Sequence, residues 1–261
     1  MMRKYLSIYA EFMATAVAEA MSFRLNFILV IIMDLLFYSS SLITVHIIFD
    51  HVSHVGPWSR EEFLFFTAFM LTVDHIHMAL ISENFWNFSF LIRTGKLDFE
   101  LLKPANTLFT VFLRHMRVQT LLITPVPWGA LIFFGRKLEF SWEQWCSIPL
   151  FIILALLVLV AIEILISMLM FITVESFGIN FLRLQLQQLA RWPDFVYKKF
   201  ARVTFTFFLP VLVIGSVPVK IILGEGLLVP LLFMFAVLLI LAFLIGVSWL
   251  RALKYYESAS S

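Results

Sequence analysis

The chain has 261 residues, of which 62% are hydrophobic, only 14% are charged and 30 are Phe, and its mean hydropathy is +0.97. Soluble domains carry about 45–50% apolar and about 25% charged residues, so this balance excludes one and marks an all-α polytopic membrane protein. A net charge of +2 gives no basis for nucleic-acid binding, and the single cysteine, Cys146, excludes an internal disulfide and a cysteine-built metal site.

In chain order, residues 1–24 read as a helix lying in the membrane interface. Tyr5, Ile8, Tyr9, Phe12, Ala16 and Ala20 recur at helical spacing, and Glu11 and Glu19 interrupt any signal-peptide core. A membrane-crossing helix needs roughly 20 mostly apolar residues. Six stretches qualify: 25–49, 62–83, 107–134, 148–174, 203–223 and 227–250. The whole chain, 1–261, is then one membrane domain. Residues 175–202 read as an amphipathic inner segment, with Phe181, Leu182, Leu184, Leu186 and Leu189 alternating with Gln185, Gln187, Gln188 and Arg191, and with Trp192-Pro193 breaking it. The stretch 203–223 is the least regular, punctuated by Pro210, Gly215 and Pro218. It is either a kinked continuous helix or a helix broken near Gly215 with a re-entrant outer segment.

Lysine and arginine set the orientation. With both termini inside, fifteen of the 19 Lys and Arg fall on the inner side, leaving Arg60, Arg136, Lys137 and Lys220 outside. The expected setting is a bacterial inner membrane, multi-pass, with both termini cytoplasmic. The basic interruption at 84–106 then faces the cytoplasm. Its pattern exceeds that of a tether, because a short amphipathic helix ends at Thr94-Gly95 and an apolar-acidic segment runs on to Pro104. A formed helix in a cytoplasmic loop points to a partner docked there.

Three acids lie within the spans, where a charge costs at least about 2.5–3.5 kcal/mol at mid-bilayer. Asp34, Asp74 and Glu163 sit roughly 14, 14 and 17 Å from the inner ends of their spans at helical rise, which puts them in one layer. No Lys or Arg shares that depth in this reading, so ion pairs within the chain are not expected. The acids either hold helices together as isolated polar groups or face a translocation path or a seam between subunits. His77 shares a helical face with Asp74, whereas His75 points away from it. Two ligands without a third do not make a metal site, and none is expected. The chain has no GxxxxGK[ST] phosphate loop, no HExxH and no nucleophile-elbow serine, so an ATP-driven cycle needs another polypeptide.

The loop carries a patterned run, Leu91-Ile92-Arg93-Thr94-Gly95-Lys96-Leu97-Asp98-Phe99, followed by Leu101-Leu102-Lys103-Pro104. This run, with Arg191, Pro193 and Pro210 later in the chain, resembles the membrane subunits of ABC exporters of the second type, in particular a bacterial subgroup of ABC-2-like permeases. The resemblance extends over nearly the whole length. It implies two permeases side by side, as a homodimer or with a paralogous permease, embedded in membrane lipid. Each would rest on an ABC ATP-binding subunit that holds ATP and Mg, with no cofactor in this chain. Residues 84–93 would be the coupling helix, ended by Gly95 in a left-handed cap. Phe85, Phe88, Leu91, Ile92, Arg93, Gly95, Lys96, Asp98, Lys103 and Pro104 would contact the ATPase, and Phe85, Phe88, Leu91 and Ile92 are the expected apolar anchors. Two other readings stay open: a non-transporting scaffold that anchors a peripheral complex by the same loop, and an intramembrane enzyme using Asp74, His77 and Glu163.

Overall fold

The structure is a computed structural model that describes residues 2–173 and 177–256. Position 1, the end of the expected fourth span with the start of the inner segment (174–176), and the C-terminal tail from 257 lie outside the described residues. The regular elements are helices: α1 (Met2–Ser22), α2 (Arg24–His51), α3 (Arg60–Leu80), α4 (Ser82–Arg93), α5 (Leu97–Leu101), α6 (Thr107–Phe112), α7 (Val118–Leu121), α8 (Pro125–Lys137), α9 (Trp142–Ser167), α10 (Met170–Thr173), α11 (Phe177–Ala190), α12 (Lys199–Val203), α13 (Val213–Ile222) and α14 (Leu228–Tyr255). Among the described residues five stretches are long and apolar enough to cross a membrane: α2, α3, Val118–Lys137, Trp142–Thr173 and α14. This is an all-α polytopic membrane protein.

Helix α3 is the axis of the bundle. It is apolar nearly all round, a pattern that suits a helix enclosed by others, and it packs against α2, α8, α9 and α13. Its start is fixed by a reciprocal capping box, in which Ser59 accepts from the Glu62 backbone and the Glu62 carboxylate accepts from the Ser59 backbone. Helices α2 and α14 lie at the edge and leave most of their apolar surface free, including Ile28, Leu29, Ile32 and Met33 on α2 and Phe235, Leu239 and Phe243 on α14. The start of α1, the end of α14 and the loop 82–106 lie at one end of the bundle, the loop end. The opposite end is marked by Trp58, whose indole Nε1 donates to Glu225 at 2.7 Å and whose ring meets Phe195 edge-on at 4.8 Å.

Three expected elements take a different form. The third span is interrupted: α6 stops at Phe112, residues 113–117 are not helical, and the helix resumes at Val118. Asn84 stabilises the gap. Its side chain donates to the His115 carbonyl at 2.8 Å and accepts from the His115 N–H at 2.7 Å, while the Arg117 N–H reaches the Ala79 carbonyl at 2.8 Å. The backbone groups freed by the break are therefore satisfied within the protein, as hydrocarbon demands.

The expected inner segment does not stay on the inner side. Helix α11 runs back along α9 and beside α3, with Asn180, Arg183, Leu186 and Gln187 buried and Phe177, Phe181 and Leu182 exposed. The Asn180, Arg183 and Gln187 face meets protein together with Ile179, Leu186 and Ala190, while Phe177, Phe181 and Leu182 face outward with Gln185 and Gln188. It ends at the Trp58 end, where Trp192 lies 6.2 Å from Phe63.

The stretch 203–223 is not one helix. Lys199–Phe208 and Val213–Ile222 meet at a 96° bend, and the break falls at Leu209-Pro210 rather than at Gly215. Both ends of this pair return to the same place. Asp194 binds Arg202 and Lys220, each at 2.6 Å, so the segment enters and leaves at the Trp58 end as a re-entrant hairpin. Gly215 lets α13 lie against α3, since a Cβ there would sit 2.5 Å from the Met70 sulfur and 2.9 Å from the Phe66 ring. This path also moves Lys198, Lys199 and Arg202 away from the inner side. The loop end then holds ten of the 19 Lys and Arg, the Trp58 end seven, and Arg183 and Arg191 lie within the bundle.

Candidate functional site

The inserted α11 overturns the expectation that the intramembrane acids have no cationic partners. Asn180, Arg183, Gln187 and Arg191 are spaced by three, four and four residues, which lines them along one helical face. That face meets α3 and α9. Glu163 of α9 accepts from Arg183 Nη1 at 2.7 Å and is bonded to His77 Nε2 at 2.5 Å. Gln187 donates to Asp74 at 3.1 Å and lies 3.5 Å from His77 Nδ1. Arg191 Nε donates to the other Asp74 oxygen at 2.7 Å. Each guanidinium also rests on an aromatic ring, Arg183 on Phe85 at 4.8 Å and Arg191 on Phe37 at 4.6 Å. Burial of a charge is tolerated when it is paired and hydrogen-bonded; each of these groups is paired, while Arg183 Nη2 makes no hydrogen bond among the described residues.

Asp34 has its own partners across α2 and α7. Thr120 donates to it at 2.9 Å, and Arg117 lies 3.8 Å away. Next to it, Tyr38 bonds to His75 at 3.1 Å and His75 to Thr124 at 2.9 Å. All of Asp34, Asp74, His77 and Glu163 are buried within the chain. Their partners lie within the bundle, across α2, α3, α7, α9 and α11. His75 and His77 point to different neighbours, and among the described residues no three His, Cys, Asp or Glu side chains are grouped to hold a metal ion.

An open cleft does exist beside this layer. About 240 Å³ lies between α2, α3 and α11, with Ser40, Ser41, Thr44, Thr67, Gln188 and Arg191 supplying polar groups and Phe37, Phe63, Met70 and Trp192 supplying apolar walls. Arg191 belongs to both features, since one side of its guanidinium holds Asp74 and the other borders the cleft.

The second candidate surface is the loop end. Helix α4 ends as the glycine requires, with Gly95 at φ +69°. The expected anchors on α4 are turned the other way. Phe85 and Phe88 are fully buried and Ile92 nearly so, packed on Phe112, Phe171 and Trp249. Leu91 is half-buried against the same core. The free apolar groups are Trp86 (41% exposed), Phe90 (43%), Phe99 (69%) and Leu102 (81%). Arg93 is exposed among them, and Lys96 reaches over the Phe90 ring at 4.9 Å. Lys103 folds back with Arg114 onto the buried Glu100, at 2.7 and 2.8 Å, and the Pro104 carbonyl accepts from Lys4 of α1. Glu100 and Pro104 therefore fasten the loop to Arg114 and to α1, and Lys103 closes onto Glu100 within the loop. Asp98 is half-buried in the loop.

A family model described as an ABC-2 family transporter protein matches residues 35–260. The chain belongs to the ABC-2 transporter family. No curated protein and no solved structure matches it. The match makes this the membrane component, the permease, of an ABC transporter, and it spans every helix from the middle of α2 onward. For this permease the residues missed by sequence reasoning are Arg183, Gln187 and Arg117 as partners of the acids, and Trp86 and Phe90 as the free face of α4. The first group had a signal in the 180-183-187-191 spacing. The second had none within α4 alone, because the face it buries depends on where α6, α10 and α14 arrive.

Proposed function

We propose that this ABC-2 permease forms half of the pathway of an ATP-driven exporter in a bacterial inner membrane, with both termini cytoplasmic. A separate ATP-binding subunit, holding ATP and Mg, docks on the loop end, and a second permease copy or a paralogue packs against the free apolar face of α2. The observation that carries the reading is the free surface of the loop. Trp86, Phe90, Phe99 and Leu102 stand exposed beside Arg93 and Lys96, on a loop clamped to the bundle by Glu100, Asn84 and Phe88. Aromatic groups with arginine at a rigid surface have the composition of a binding hot spot.

The same connections suggest how the motion travels. A push on α4 is carried through Asn84 to the break in span three and through the Ile81 kink to α3. Asp74 and His77 then connect α3 to α11, which walls the cleft at Arg191. Closure of the partner would bias this linkage between two arrangements, opening and closing the cleft. Its hydroxyl-rich and aromatic lining suits an amphipathic substrate. The intramembrane-enzyme reading loses its support here, because Asp74, His77 and Glu163 are already engaged by Arg191, Gln187 and Arg183.

The test is co-purification with a co-expressed ATP-binding subunit. Trp86→Ala with Phe90→Ala should weaken the complex by at least a hundredfold and lower ATP hydrolysis by the assembly, with melting of the permease unchanged. Hot-spot truncations cost about 2 kcal/mol or more each, which is the basis for that figure. Wild-type co-purification and hydrolysis in this double variant would overturn the docking assignment.

A further inference from the structure

The hydroxyls of the cleft between α2, α3 and α11 are polarised in one direction. Ser40 and Ser41 each donate to the Phe37 carbonyl, at 3.0 and 2.8 Å. Thr44 donates to the Ser40 carbonyl at 2.7 Å and Thr67 to the Phe63 carbonyl at 2.9 Å. A hydroxyl has one hydrogen to give, and all four are spent on the helix that carries them. What these side chains offer the cleft is lone pairs. The α11 wall offers the reverse. Arg191 spends its Nε on Asp74, and among the described residues its two Nη groups form no hydrogen bond. With the N–H groups of the Gln188 amide they are the donors that border the cleft.

Charge narrows the ligand further. Among the described residues that line the cleft Arg191 is the one with a charge, and Asp74 balances it. An anionic head would meet hydroxyl lone pairs and a guanidinium already neutralised. An ammonium head would meet that guanidinium with no carboxylate free to oppose it. Either ion would be buried without a counter-charge, which is costly. A head with several uncharged hydroxyls fits both walls, since each hydroxyl donates to a lone pair and accepts from an N–H. The Phe63 and Trp192 rings give flat apolar faces, against which the C–H face of a sugar ring packs. At about 240 Å³ the space falls below the roughly 300–1,000 Å³ of pockets that enclose a whole drug-sized ligand, so it takes a head and leaves the remainder outside.

The exit has a direction. At helical rise Ser40 and Thr44 lie roughly 24 and 30 Å along α2 from Arg24 at the loop end, against a hydrocarbon core about 30 Å thick. The polar groups are thus in the leaflet on the Trp58 side. Leu36 and Met33, four and seven residues before Ser40, continue its helical face toward the midplane, and both are exposed. A head at the hydroxyls with a chain running along Leu36 and Met33 has the orientation of a lipid in that leaflet.

Taking this cleft as the substrate site of the permease, we propose that the transported amphiphile is a glycosylated lipid with an uncharged sugar head. The head hydroxyls donate to Ser40, Ser41, Thr44 and Thr67 and accept from Arg191 and Gln188. The sugar ring packs on Trp192, and the chain follows Leu36.

Native mass spectrometry of the full chain in a sugar-free polyoxyethylene detergent measures binding without an ATPase. The probes are monoglucosyl diacylglycerol, phosphatidylglycerol and unglycosylated diacylglycerol with matched acyl chains. The glucosyl lipid should give an adduct at least tenfold more abundant than either of the others. Ser40→Ala with Thr44→Val, and separately Gln188→Leu, should lower it at least fivefold with melting unchanged, because among the described residues none of these side chains bonds to another helix. Equal adducts from the three lipids, or a preference that survives both variants, would overturn the sugar head, whatever the ATPase docking test shows. Equal displacement by methyl glucoside at the same concentration would overturn the assignment to a lipid. In the assembled transporter the glucosyl lipid should raise ATP hydrolysis at least twofold, and the Ser40→Ala with Thr44→Val protein should lose that rise. Binding without stimulation would overturn the cleft as the substrate site.

Discussion

Arg183→Met isolates the energetic logic of the inserted helix. Methionine keeps an unbranched stem over the Phe85 ring and removes the guanidinium. Glu163, almost fully buried, is then left with His77 as its one close partner. Removing one member of a buried ion pair costs about 3–5 kcal/mol, mostly because the other charge is stranded. Average unfolding entropies give roughly 0.5 kcal/mol per degree for a chain of this length, so the loss corresponds to roughly 5–9 °C in melting temperature. Helices that persist in detergent lower the unfolding entropy and enlarge the shift. Thermal unfolding of the purified permease, followed by intrinsic tryptophan fluorescence, measures it. The decisive comparison is the double variant Arg183→Met with Glu163→Gln. A glutamine carbonyl can still accept from His77, and no charge is stranded, so the double variant should recover more than half of the lost melting temperature. A double variant that melts at or below the Arg183→Met protein would refute the stranded-charge argument and leave only lost packing.

Three further outcomes follow from particular contacts. Asn84→Ala removes both hydrogen bonds to the His115 backbone and should cost about 2–4 kcal/mol, with faster amide exchange confined first to residues 113–117. Gly215→Ala places a methyl where Met70 and Phe66 already sit and should lower stability by about 1–3 kcal/mol, while Gly246→Ala, where a Cβ meets nothing within 4 Å, should leave melting unchanged. Arg191→Gln removes the cation shared by Asp74 and the cleft, so transport by the assembled complex should fall at least tenfold; restoration by adding Asp74→Asn would assign Arg191 to holding Asp74 rather than to the cleft.

Composition alone made the class legible, and apolar length placed α2, α3 and α14 to within about five residues and α9 to within about seven, because bilayer thickness acts on each span independently of its neighbours. The left-handed Gly95 at the end of α4 was legible for the same reason, since it is a local steric fact. What escaped depends on tertiary context. The gap at 113–117 exists because Asn84 and Ala79, from the adjoining helices, supply hydrogen bonds that a helix would otherwise make for itself.

One physical assumption accounts for two of the remaining errors. Reading 175–202 as an amphipathic segment on the inner side, and Phe85, Phe88 and Ile92 as surface anchors, both decide which face is buried without knowing what lies around the helix. In water an amphipathic helix turns its apolar stripe inward. In hydrocarbon apolar surface outside costs nothing, and the polar stripe turns to whatever can pair with it. Helix α11 follows the second rule because Asp74, His77 and Glu163 await it. Helix α4 follows the first, because at the loop end Phe112, Phe171 and Trp249 enclose its phenylalanines. The three acids of the spans were the available clue. Three buried carboxylates require three cationic partners at their depth, and only an inserted Arg183 and Arg191, with Arg117 at the break in span three, can supply them. Counting those charges as a balance to be closed, rather than as residues to be sorted by side, leads from the sequence to the insertion of α11.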